Sequence, residues 1–439
     1  MSRRIPGPPL VASGLVGMRM WKDPSGLLLK LRAKYGNVVR FRAGPKTFTA
    51  MFGVDANRYL LSDNPENFTW REALASLIVV DGETALVVTD GPEHKRRRRM
   101  VQPAFAIRAL DGYLDGMIDA AAHEVSTWKT GEELDVYARL RRVIREIAVR
   151  TLFGDTLGAR EQEFGDNLIA GIEVVNNPIA LVVPTWMPGV GWGKAKRGRA
   201  KVDEIVQAEI ERRRALPPTE NDLLDRLLHA TDEEGGPSLT DAEIRDQVIS
   251  LVAAGYETTS GSIGWATHLL LHNEGEWERA AKEVESVVGD ARLTPALLQQ
   301  LTHLDNVISE TLRLWPAAFM SGRMTQGDFE FEGHTIKKGS FILYSPYVSG
   351  RDPSLWENPD AFVPDRWVDN TVDPYAFVPF GGGYRRCIGF AFATQELKVL
   401  LVEMLRRVEM TGLRPTATPT GVASLWPKGG VPVRIRSVL

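Results

Sequence analysis

Cysteine is almost absent: 439 residues hold one, Cys387. A disulfide within the chain is therefore excluded, and this usage fits a reducing compartment. Long apolar runs are absent too. Although 44% of the residues are hydrophobic, no uninterrupted stretch approaches the ~20 apolar residues of a spanning helix. The basic start, from Met1 to Leu10, has no apolar segment of signal-peptide length behind it. Together these absences lead us to expect a soluble, cytoplasmic protein with no membrane span. Charge of one sign is not in excess either. Lys and Arg number 53 against 56 Asp and Glu, a net of −3, so bulk charge offers no nucleic-acid reading. Repeats and low-complexity stretches are missing, and the length alone allows roughly two or three domains around a large core.

What is present concentrates around the single cysteine. Phe380-Gly381-Gly382-Gly383-Tyr384-Arg385-Arg386-Cys387-Ile388-Gly389 runs straight into an apolar, helix-like segment from Phe390 to Leu405. Three glycines let a main chain lie close to a large flat partner, because no Cβ stands in the way. Cys387 falls where a helix begins, so unpaired N–H groups and the helix dipole favour its thiolate, the form that binds a metal. Taken alone, a lone cysteine also reads as a small buried hydrophobe and a glycine triplet as a turn. A phosphate loop is disfavoured, since no lysine follows the glycines and Pro379 interrupts the preceding strand-like residues.

The full spacing, Phe380-x-x-Gly383-x-Arg385-x-Cys387-x-Gly389, resembles the heme-binding signature of the cytochrome P450 family, in which the cysteine thiolate is the axial iron ligand. Other stretches agree. His94 and Arg98 stand four apart at the start of a basic helix, facing one way, and Gly91-x-x-His94-x-x-x-Arg98 resembles the family's helix that holds the heme propionates. By the same resemblance, Arg323 falls at the family's other propionate-pairing position. The capping box Thr240-Asp241-Ala242-Glu243 opens a helical pattern of about thirty residues. In its middle, Ala254-Gly255-Tyr256-Glu257-Thr258 resembles the oxygen-activating motif. Gly255 weakens the helix there, and a threonine hydroxyl can compete for the freed carbonyls. Glu310 and Arg313, read alone, are a surface pair of little worth; with Arg366 they resemble the family's Glu-x-x-Arg cluster. One departure is Gly350, where a histidine often precedes the Arg351-Asp352-Pro353 turn.

The resemblance implies a mainly α fold with a small β-rich region and a long central helix crossing the heme. Residues 1–20 would be a proline-rich leader, resembling the segment that follows a membrane anchor in anchored members, and residues 21–439 a single heme-thiolate domain. Expected local structure includes a helix from Asp23 to Tyr35 burying Leu27, Leu28, Leu31 and Ala33, and a hairpin of Val38–Arg42 with Thr47–Phe52. Strands near Arg323, from Asp328 to Phe331 and from Ser340 to Tyr344, would form a small sheet. Residues 176–197, rich in proline and glycine, read equally as a mobile lid or a plain surface loop.

For function, the resemblance implies heme b (iron protoporphyrin IX) on Cys387 as the metal ligand. Phe380, Gly381, Arg385 and Gly389 would form the cofactor loop, with His94, Arg98 and Arg323 at the propionates. Thr258 and Glu257 would be the catalytic alcohol and acid that deliver protons. Segments Leu77 to Val80, Ile249 to Tyr256, Ala317 to Met320 and Val422 to Trp426 would line an apolar pocket for a lipophilic small molecule. The expected activity is a monooxygenase that hydroxylates or epoxidises such a substrate with O2. Its two electrons would come from a separate ferredoxin or flavodoxin with its reductase, docked on Lys95, Arg96, Arg99 and Arg386. Two other readings remain: a heme-thiolate isomerase or dehydratase that needs no O2, and a non-catalytic heme-binding sensor or carrier.

Overall fold

The computed structural model describes residues 3–158, 160–181, 183–217, 222–232, 234–369 and 371–439. Residues 1 and 2 of the leader and Val182 of the candidate lid lie outside the described residues. The proline-rich start packs against the first strand: Arg40 N–H donates to Pro6 O at 2.8 Å. A Cβ on Gly7 would stand 1.8 Å from Arg40 O, so only glycine allows that approach. Helix α1 (Ser13–Lys22) follows. Asp23 then caps α2 (Pro24–Tyr35), accepting from Gly26 N–H at 2.8 Å, with proline at a position that needs no donor. Leu27, Leu28 and Leu31 are buried as expected. Ala33 is exposed, because two residues past Leu31 is more than half a turn around the helix.

The hairpin forms from β1 (Val38–Ala43) and β2 (Lys46–Met51), with Val38 opposite Met51 and Ala43 opposite Lys46. It joins β3 (Phe68–Thr69), β4 (Ser321–Thr325) and β5 (Phe341–Tyr344) in one sheet of order β1-β2-β5-β4-β3. Phe329–Phe331, expected in that sheet, pairs instead with His334–Ile336 in a separate ladder. The turn between them has Glu332 at φ 47° and Gly333 at φ 76°, the left-handed pair that closes a tight hairpin on itself.

Helices make up most of the rest. In chain order they include α3 (Gly91–Val101), α4 (Ile107–Ser126), α5 (Val136–Gly158), α6 (Glu161–Val175), α7 (Trp192–Arg214), α8 (Asp241–His272), α9 (Thr302–Leu314) and α10 (Phe390–Leu405). The 32 residues of α8 span about 48 Å. Its capping box is formed: Thr240 Oγ1 accepts from Glu243 N–H, and Glu243 accepts from Thr240 N–H at 2.9 Å. Ile244, Val248, Val252, Ile263, Ala266 and Leu270 bury α8 among α5, α9 and α10. An isolated apolar stripe would not suffice for a helix surrounded this way. Among the described residues, no helix is long and apolar enough to cross a membrane.

Glu310 of α9 is a fully buried hub. Arg313 donates to both of its oxygens at 2.8 Å, Arg366 Nε to Oε1 at 2.8 Å, Val363 N–H at 2.9 Å and the Trp367 indole at 3.0 Å. The pair that reads locally as a surface contact is thus 0% exposed on both sides, and the donors hold the Glu310 carboxyl below its usual range against the opposing effect of burial.

Candidate active site

The Cys387 loop takes its shape from contacts within the chain. Cys387 N–H donates to Phe380 O at 2.9 Å, a short 3-10 turn spans Gly383–Arg385, and α10 starts at Phe390. Gly381 and Gly383 have φ of 68° and 59°, which favours glycine. The closest approach is to protein: a Cβ on Gly383 would lie 2.0 Å from Leu61 O, and one on Gly382 3.3 Å from the Leu61 side chain. Of the triplet, only Gly381 borders the cavity in front of the loop. The expectation that all three glycines face a flat partner is corrected accordingly.

That cavity has a volume of about 840 Å3, within the range of small-molecule and cofactor sites. Cys387, which is exposed, stands on one wall with Phe380, Ile388 and Gly389. Burial raises the thiol's pKa above its ordinary value, although the Gly389 N–H and the charges of Arg98 and Arg386 oppose this. A helix start alone therefore does not make the sulfur a thiolate here; a cation in direct contact would.

The facing wall is α8, through Ser250, Leu251, Ala254, Gly255, Thr258 and Ser262. Thr258 Oγ1 donates to Ala254 O at 2.7 Å, the competition for helix carbonyls that the sequence suggests. Glu257 points elsewhere. One residue around the helix, it is buried and ion-paired with Arg141 of α5, and its Oε2 has no hydrogen-bond partner among the described residues. Burial raises its pKa while Arg141 lowers it. The sequence neighbours Glu257 and Thr258 thus stand on different sides of α8, and only Thr258 borders the cavity.

A third side carries the cationic and imidazole groups. His94, Arg98 and Arg385 border the cavity. His94 is buried with Nδ1 unpartnered among the described residues. Burial, with Arg385, Arg98, Lys95 and Arg97 nearby, lowers its pKa to about 3, so the ring is neutral. Arg98 donates to Arg386 O at 2.8 Å. Arg385 donates to Thr89 O and to Asp90, each at 2.7 Å, leaving its Nε without a partner. Arg323 lies one layer back. It donates to Ser321 Oγ at 2.8 Å and Gly322 O at 2.7 Å, and its guanidinium stacks 3.5 Å from the Trp70 ring. Trp70 borders the cavity where Arg323 does not, and Arg385 approaches the same ring at 5.0 Å.

The spare basic residues of α3 are not the free surface expected of them. Arg97 Nε donates to Glu243 at 2.7 Å, Arg96 pairs with the same carboxylate and with Glu93, and Arg99 meets Asp232 at 3.0 Å. Acids brought in by the start of α8 and by the 222–232 segment clamp them, which no local pattern reveals. Lys95 and Arg386 remain exposed, the latter 4.0 Å from the Phe390 ring.

Of the expected pocket segments, Leu77, Ala317, Ala318, Met320, Val422 and Ala423 border the cavity, whereas Val80, Phe319, Leu425 and Trp426 do not. Thr185 and Trp186, from the candidate lid, do; the last part of that 176–197 segment, from Trp192, is instead the start of α7. Two residues escaped sequence reasoning. Trp70 gave no signal in an irregular apolar stretch. Glu396 of α10 is buried, faces Thr259, and borders the cavity with Oε1 unpartnered among the described residues.

A thiol on one wall, a hydroxyl-bearing helix on another, and unpartnered buried nitrogens at His94 Nδ1 and Arg385 Nε fit a flat, anionic, metal-centred group. The sequence profile of the family described as Cytochrome P450 matches residues 5–425. The chain belongs to the cytochrome P450 family. A protein named "Putative cytochrome P450 139" from Mycobacterium tuberculosis is 35% identical over 419 residues, 93% of this chain and 97% of that one. Cyclooctat-9-en-7-ol 5-monooxygenase of Streptomyces melanosporofaciens is 30% identical, over 89% of this chain and 86% of its own. A solved structure named "Retinoic acid bound cyanobacterial CYP120A1" matches with a TM-score of 0.89 at 27% identity, covering 100% of both chains. Fold and enzyme class follow: this is a mainly α P450 fold of the heme-dependent oxidoreductases.

Proposed function

We propose that this P450 is a monooxygenase holding heme b through Cys387, using O2 and two electrons from a separate ferredoxin or flavodoxin system to hydroxylate or epoxidise a lipophilic small molecule. The observation that carries this reading is one cavity bordered both by Cys387 and by Ala254, Gly255 and Thr258 of α8. When bound there, the heme supplies dioxygen activation, favoured by electron donation from the thiolate. His94, Arg98 and Arg385 would satisfy the propionates, and Arg323 would act from behind Trp70. Phe380, Gly381 and Gly389 give the sulfur its setting.

Proton delivery falls to α8. Thr258 Oγ1 donates its hydrogen bond to Ala254 O and would turn it toward the cavity. Glu257 would resupply it by leaving Arg141, a rotation that exchanges an ion pair for water. The relatives act on or bind hydrophobic ring compounds by their names, cyclooctat-9-en-7-ol and retinoic acid. With the mostly apolar wall, this supports a fatty acyl, terpenoid, steroid or polyketide substrate.

The test is reconstitution with a ferredoxin or flavodoxin and its reductase. Product should require both O2 and reductant and carry oxygen from O2. Turnover without either would make the protein an isomerase or dehydratase. In Cys387→Ser the red-shifted absorption band of the reduced carbon monoxide complex should vanish; its survival would assign the ligand elsewhere.

A further inference from the structure

Near the C-terminus, Pro419–Thr420 pairs antiparallel with Trp426–Pro427, and the turn between them is drawn tight. Gly421 has a φ of 97°, and a Cβ on it would stand 2.0 Å from Ser424 O. Val422 and Ala423 of this turn border the cavity. Its later residues are fixed to the core. Ser424 Oγ donates to Glu257 O at 3.3 Å, Leu425 N–H donates to Ala317 O at 2.9 Å, and a Cβ on Gly261 of α8 would lie 2.4 Å from Leu425 O.

The turn is also met by Asn176, the residue that follows α6. Asparagine at such a place commonly bonds its own backbone two residues on, and Asn177 does so, accepting from Ile179 N–H at 3.0 Å. Asn176 spends its oxygen elsewhere. Its Oδ1 crosses to the turn and accepts from three consecutive N–H groups, Val422 at 3.4 Å, Ala423 at 3.0 Å and Ser424 at 3.2 Å. Successive main-chain donors that converge on one point form a nest, which selects an oxygen. Val175, just before Asn176, and Ala180, a few residues after it, border the cavity too. One side-chain oxygen thus joins two cavity walls that lie 246 positions apart in the chain.

We propose that Asn176 is a positioning residue that determines specificity: its oxygen sets the distance between the end of α6 and the 421–424 turn, and with it the width of the cavity between them. Water could satisfy the three donors in its place, but water ties the turn to nothing. Loss of the oxygen therefore loosens the wall more than it harms the fold. Long ligands that reach this wall feel the change, and small ones do not. The consequence for which atom of a substrate is oxidised rests on the proposed function; the placement of the wall does not, so the two can fail separately.

Two measurements on the heme-loaded full chain need no turnover. In Asn176→Ala, the amide hydrogens of residues 422–424 should exchange about tenfold faster, with those inside α8 unchanged. Followed by the shift of heme absorption, N-dodecylimidazole should bind this variant about tenfold more weakly, while imidazole binds as it does to the wild type. Asn176→Asp keeps an oxygen at the same reach and should restore both results. If Asn176→Ala does not hold heme, Asn176→Ser, whose hydroxyl falls short of the turn, carries the same comparison. Unchanged exchange, equal weakening of both azoles, or an Asn176→Asp variant that behaves like Asn176→Ala would each overturn the proposal. A wild type that passes these tests yet forms no oxygenated product with O2 and reductant would refute the proposed function alone.

Discussion

Two glutamates, both almost wholly out of reach of water, behave in opposite ways. Glu310 receives five hydrogen bonds and its carboxyl stays ionised, below its usual range. Glu396 faces one threonine, keeps an unpartnered oxygen, and is pushed up to about 8 by burial. Burial is common to both, so the number of donors decides the charge. The first glutamate belongs to the scaffold that ties α9 to residues 363–367. The second borders the cavity, where an acid able to change its protonation is of chemical use.

The sharpest way to break this contrast is Glu310→Gln. It leaves the fully buried Arg313 without its counter-charge, and we expect a loss of about 3–5 kcal/mol in urea unfolding, enough to leave little folded protein. Asn176 is an intermediate case, an uncharged acceptor. Its Oδ1 takes the N–H groups of Val422, Ala423 and Ser424 at 3.4, 3.0 and 3.2 Å. Asn176→Ala should cost about 1–2 kcal/mol and, because Val422 and Ala423 border the cavity, should change the ratio of products by mass analysis.

Glu396→Gln should be milder, within about 1 kcal/mol at neutral pH, since the native group is already protonated there. The sign of its pH effect is distinctive. Below the ordinary carboxyl value of about 4.3 both folded and unfolded chains hold the proton. Above it the unfolded chain releases the proton first, so stability falls as pH rises until the folded group ionises at about 8. Unfolding curves across that window should lose this slope in the variant. Glu310 contributes in the other sense: its stabilisation is present above the unfolded value and lost as pH falls through its lowered folded value. Equal costs for the two glutamine variants would erase the distinction. Smallest in stability, about 0.5 kcal/mol or less, is Thr258→Ala. It should nevertheless divert reducing equivalents to hydrogen peroxide, measured as NAD(P)H consumed per product formed.

What could be read from the sequence was whatever a short spacing encodes. Thr240 and Glu243 announce α8, the β1–β2 hairpin follows from its alternation, and Phe380 to Gly389 identifies the loop and its sulfur. His94 and Arg98 come to the same cavity because four residues make one turn. The side of α8 on which Glu257 stands was not legible, since Arg141 is more than a hundred positions away. Nor was the withdrawal of Arg323 behind Trp70, or the clamping of Arg96, Arg97 and Arg99 by Glu243 and Asp232. In each, the deciding partner arrives through tertiary packing and leaves no trace in neighbouring residues. Glu396 escaped for a related reason: within an apolar helix it looks like a solvent-facing position until α8 covers it.

The stop that Leu61 O provides for Gly383, with the link from Cys387 N–H to Phe380 O, has a kinetic corollary. Both are made by polypeptide alone, so we expect the hollow around the sulfur to be largely formed before any pigment reaches it. Loading then resembles a plate sliding into a rack already cut to size, with little ordering of the chain left to accomplish. Amide hydrogens in residues 380–389 should exchange almost as slowly in the freshly made, colourless protein as in the red one.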